Sequence, residues 1–203
     1  MKTTRALAVA CLLLTAGCSA LPKPPMSADV YDFGPGAMTA AADQGAPLSP
    51  VVLPEITTVG IPGDSTALQY RLAYDNAQQL RPYSQARWSR PPAQLMAQAL
   101  REKLAQRRAV VSDNDNVTQQ GNRLAQVRVE LEEFSQVFTA PDASIGLVRL
   151  RASVTRDGVL GQRVFVAQRP AATQDAAGGA RALAEAAAQA AEELAQWLQT
   201  VAP

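Results

Sequence analysis

Few side chains in this sequence could carry chemistry, and they are unevenly placed. The 203-residue chain has no histidine and two cysteines, Cys11 and Cys18, both within its first tenth. Without an imidazole, Ser-His-Asp and Cys-His nucleophilic catalysis are excluded, as are histidine-ligated metal sites. The carboxylates add little. Asp113 and Asp115 in "DNDNVTQQGNRL" start like a calcium loop, but Val117 and Leu124 stand where ligands at positions five and twelve are needed. "FGPGAM" lacks the later glycine and the Lys-Ser/Thr pair of a phosphate loop. Glu130, Glu132 and Glu133 could be cast as paired acids, yet strand alternation assigns two of them to a solvent-side charge ladder. No catalytic residue, metal ligand or cofactor site is expected, and the chain is not expected to be an enzyme.

Cys18 is the exception. Met1 to Gly17 has the anatomy of a secretory signal: Lys2 and Arg5 form a positive start, and Ala6 to Leu14 is an apolar run. That run is too short to span a bilayer, which needs about 20 apolar residues. It ends in "TAGC", which resembles a bacterial lipobox, with Thr15 departing from the leucine usual there. The resemblance implies cleavage after Gly17, a diacylglyceryl thioether on Cys18, and acylation of the new amine by a chain such as palmitate. Several acyl chains, each buried methylene contributing about 0.8 kcal/mol, give firm anchoring. Ser19, where an aspartate would favour inner-membrane retention, points to the periplasmic face of a Gram-negative outer membrane. With the cysteine sulfur occupied, no disulfide framework remains.

Composition narrows the class further. Apolar residues make up 47%, enough for one domain with a real core. Without Lys2 and Arg5 the basic count falls to 17 against 18 acidic residues, which argues against a nucleic-acid partner.

The elements that must position these residues follow from periodicity. Residues 18–29 form the lipidated start and a proline-rich tether, able to reach about 30 Å as an extended chain. The domain proper is expected over 30–203. "VYDF", Val30 to Phe33, reads as a short strand, and 34–50 as an irregular loop. "VVLPEITTVGIP" from Val51 reads as a strand interrupted at Pro54. "ALQYRLAYD" alternates Leu68, Tyr70, Leu72 and Tyr74 and reads as another. Pro91 opens a helix whose Met96, Ala99, Leu100 and Leu104 share one face. A polar loop spans 112–122.

Next comes a meander. Val127, Val129 and Leu131 face Val154, Ala152 and Leu150, while Glu130 and Glu132 face Arg151 and Arg149. Both faces agree on one antiparallel register. After Arg156-Asp157-Gly158, with glycine left-handed, the third strand pairs Val154 with Leu160, Leu150 with Val164 and Val148 with Val166. An alanine-rich helix ends the chain, its stripe running through Leu183, Ala187, Ala190, Leu194, Trp197, Leu198 and Val201. The fold class is α+β, a two-layer sandwich of a mainly antiparallel sheet with two amphipathic helices on one face. Trp88 and Trp197 are core residues by default. Trp88, in a proline- and arginine-rich approach to its helix, is also the candidate for facing a partner.

The order of these features resembles the ABC-type transport auxiliary lipoprotein family, the PqiC-like proteins, over roughly residues 30–200. The "W-x-x-P" from Trp88 to Pro91 and the "V-x-V-x-L-x-x-F" strand from Val127 to Phe134 carry most of the likeness. The resemblance implies an auxiliary or docking subunit of an ABC intermembrane lipid-transport system. Its partner would be a periplasmic MCE-domain protein, and a homo-oligomer is permitted. The alternative is a lipoprotein that assists outer-membrane assembly or activates a cell-wall synthase by binding a periplasmic partner.

Overall fold

The computed structural model describes residues 27–36, 47–112 and 124–203. Its strands are β1 (Asp29–Tyr31), β2 (Val51–Val52), β3 (Thr57–Thr58), β4 (Ala67–Leu72), β5 (Ala77–Trp88), β6 (Val110–Val111), β7 (Ala125–Ala140), β8 (Ala143–Thr155) and β9 (Val159–Pro170). The helices are a single turn, α1 (Ala73–Asn76), and two longer ones, α2 (Pro92–Ala105) and α3 (Ala176–Val201). The α+β class holds, and the long ladders β4–β5, β7–β8 and β8–β9 are antiparallel.

β7 organises the sheet. One of its edges pairs with β8 over nearly its whole length. The other is shared by β2, β3 and β4, which lie beside it in parallel one after another. Beyond β4 come β5 and then β1, so β1 and β9 occupy opposite edges. The stretch from Val51 is two short strands separated at Pro54, whose missing N–H cannot serve a ladder.

The first meander register is borne out at Val129–Ala152, Glu130–Arg151 and Leu131–Leu150. A bulge then places Glu133, not Glu132, opposite Arg149, and returns Phe134 to the inner face. The second register is corrected by one residue. Thr155 does face Val159, but a bulge follows, and Val154, Leu150 and Val148 face Gly161, Phe165 and Ala167. Because side chains alternate, this slip reverses the whole strand: Phe165 and Ala167 are buried while Leu160, Val164 and Val166 are exposed. In the turn, Asp157 holds the left-handed position (φ 56°), with Gly158 at φ 153°. β5 was not foreseen at all.

One core joins α2, α3 and the inward sheet residues. α2 begins at Pro92, with Pro91 as its cap and Gln94 and Leu95 N–H groups bonded to the Pro91 carbonyl. Leu95, Met96, Leu100 and Leu104 are buried beneath it. In α3 the alanines permit close approach. A Cβ added at Gly146 of β8 would lie 2.5 Å from the Ala182 backbone carbon, so only glycine fits there. Lys103 of α2 and Glu192 of α3 form an ion pair that braces the helices and holds the Glu192 carboxyl below its ordinary value.

Candidate functional site

Cys18, the signal and the tether as far as residue 26 lie outside the described residues, as do 37–46 and 113–123, which take in most of both expected loops; Asp29, the tether's expected last residue, already belongs to β1. Trp88 is described, and its partner-facing placement is corrected: the side chain is 0% exposed. Being last in β5, it is turned inward, with Phe33 edge-on at 5.7 Å and Phe134 at 5.5 Å. Tyr31 lies beside it in the β1 ladder, and the Ser89 N–H bonds to the Tyr31 carbonyl. The "W-x-x-P" motif therefore packs the N-terminal strand beside the start of α2 and leaves no indole surface exposed to a partner.

The outer face of the sheet is charged but mutually neutralised. Glu132 accepts from Arg149 at 3.0 Å and from Arg151 at 2.8 Å, and Glu133 pairs with Arg71 at 3.0 Å. The bulge produces this arrangement, since it puts two consecutive glutamates among three arginines.

A second polar cluster lies between the sheet and the first turn of α3. Gln136, fully buried, accepts from the Tyr83 hydroxyl at 2.8 Å and donates to Ser144 Oγ at 2.7 Å. Ser144 in turn bonds to Gln174. Gly179 allows this: a Cβ there would fall 2.0 Å from Gln136 Oε1. Burial, with smaller contributions from Tyr70 and Asp175, pushes the Tyr83 hydroxyl up to about 12. These groups satisfy one another, so the cluster positions the helix and presents nothing reactive. Sequence reading missed it; the signal was a polar residue at an inward strand position.

Beside α2, a cavity of about 550 Å³ has Ile56, Ala93 and Ala97 on its floor and Arg90, Arg101 and Glu55 at its rim. Its charges are mixed in sign. Among the described residues, no group of three acidic, histidine or cysteine side chains could hold a metal ion, and no helix is long and apolar enough to cross a membrane.

The family model "ABC-type transport auxiliary lipoprotein component" matches residues 31–195. The chain belongs to this family. Among solved structures, this auxiliary lipoprotein is similar to a Xanthomonas campestris protein of family DUF330, at 18% identity and TM-score 0.64. That match covers 87% of this chain and 94% of the other. An uncharacterized protein at 12% identity also reaches 0.64, covering 85% and 99%. At these identities the two likenesses establish a shared fold. No curated protein matches the sequence.

Proposed function

We propose that this auxiliary lipoprotein is an outer-membrane-anchored docking subunit of an MCE-type ABC system that moves lipid between membranes. The observation that carries the reading is the family match over 31–195, with "TAGC" just upstream of the tether. In this reading the signal is residues 1–17, lipid on Cys18 holds residues 18–29 at the membrane, and the domain projects into the periplasm. There it binds the MCE-domain protein and has no enzymatic role. The tether joins the domain at β1, an edge strand at the opposite side of the sheet from β9.

The test compares the full chain with Cys18→Ala in the native envelope. The wild type should sediment with outer membrane and co-purify with the MCE-domain protein. The variant should be recovered in the soluble periplasmic or signal-retained fraction and lose co-purification. Outer-membrane association of Cys18→Ala, or absence of the MCE-domain protein from the wild-type complex, sinks the reading.

A further inference from the structure

Apolar exposure is concentrated on one strand. Of seven large hydrophobic side chains exposed among the described residues, four are Val159, Leu160, Val164 and Val166 of β9. β9 is also an edge: it pairs with β8, and its other side has no ladder partner among the described residues. Twelve residues long, it carries two arginines and no acid. A long apolar edge is a template for another strand, and proteins that stay monomeric usually blunt such edges.

The sequence of this edge says which strand fits. Gln162-Arg163-Val164-Phe165-Val166-Ala167-Gln168 is nearly a palindrome about Phe165. In an isologous pair each residue must be compatible with its two-fold mate. Antiparallel pairing centred on Phe165 sets Val164 against Val166, Gln162 against Gln168, and Phe165 against itself. The charges also agree. Arg163, whose guanidinium lies 5.2 Å over the Phe165 ring, meets small Ala167. Arg169 meets Gly161, so no arginine faces another. The valines of both copies then form one strip on the outer sheet face, beside Arg149 and Arg151 of β8. The tethered edge, β1, is at the far side of the sheet from β9.

We propose that β9 pairs antiparallel with β9 of a second copy of this chain, about a two-fold axis at Phe165, joining the two sheets edge to edge. This does not rest on the transport reading.

The test is the mass of the detergent-extracted full chain by sedimentation in density-matched detergent. The wild type should be a dimer. Val164→Glu/Val166→Glu places like charges opposite each other twice and should raise the dissociation constant at least about tenfold. Val164→Lys/Val166→Glu sets each new cation against a new anion of the second copy and should retain the dimer. All these positions are exposed, and near-ultraviolet circular dichroism checks that each variant is folded. A monomeric wild type, its edge left to a strand of another protein or to none, overturns the proposal. So does an assembly whose mass the double glutamate leaves unchanged, or equal dissociation of both charge variants.

Discussion

Gln136 is a side chain whose loss should be felt well beyond its own contacts. It sits at 0% exposure, where its amide satisfies both Tyr83 and Ser144. Leucine would keep much of the volume but leave the hydroxyls of Tyr83 and Ser144 each short of a partner. An orphaned buried polar group costs about 1–3 kcal/mol, so Gln136→Leu should lower unfolding stability by that order in urea titration. Removing the hydroxyl as well, in Gln136→Leu/Tyr83→Phe, should recover part of the loss. An additive double variant would show that the hydrogen bond is not what the glutamine contributes. Trp88 makes a different point at this scale. Its indole N–H is buried without an acceptor in the structure, a cost set against the ring packing of Phe33 and Phe134.

At the scale of elements, α3 starts where Asp175 accepts from the Gly178 N–H at 2.8 Å. That bond, and a second from Thr173, hold the Asp175 carboxyl below its ordinary 3.8. A depressed carboxyl contributes stability above its unfolded value and loses it as pH falls through the native one. Asp175→Ala should therefore cost about 1 kcal/mol at neutral pH, with the gap to wild type closing below pH 3.8. Urea midpoints measured across that range check it, and a pH-independent gap would contradict it. The same scale shows why some elements were legible and others not. β7 and β8 announce their register twice, through valines on one face and Glu–Arg pairs on the other, so the bulge at Glu132 shifts it without hiding it. β9 lacks charges to fix its outer face, and alternation alone fits two registers; the bulge beyond Thr155 selects the one that buries Phe165. β5 was illegible because "AQQLRPYSQARW" has no apolar alternation and contains Pro82. It is a strand because β4 and β1 flank it, which is tertiary context overriding propensity. Of the candidate site residues, Cys18 rests on a local pattern alone and lies outside the described residues. The burial of Trp88 depends on β1 and α2 closing over it, and the polar network at Gln136 joins β5, the β7–β8 hairpin and the approach to α3, which are distant in sequence.

Taken as a whole molecule, the sheet as described has a long outer strand at β9 and very short ones at β1 and β6, and lipid attachment at Cys18 would load β1. β1 contributes three paired residues, Asp29 against Ala86, Val30 against Arg87 and Tyr31 against Trp88. Val30 is half exposed, and Tyr31 and Phe33 supply the packing. A tug on the tether therefore meets little resistance before it reaches the interior. In a force-extension measurement with handles at the N-terminus and on α3, the first rupture should be a small one. Freeing residues 29–36 would release roughly 27 Å of chain at about 3.4 Å per residue, and the lengthening is that less the distance those residues already span, with the remaining sheet intact. A single all-or-none rupture would refute this. In a chain anchored at Cys18 and docked as proposed, the arrangement would act as a mechanical fuse: shear between the membrane and the partner would be absorbed by a strand that can peel and re-anneal, sparing the body it tows.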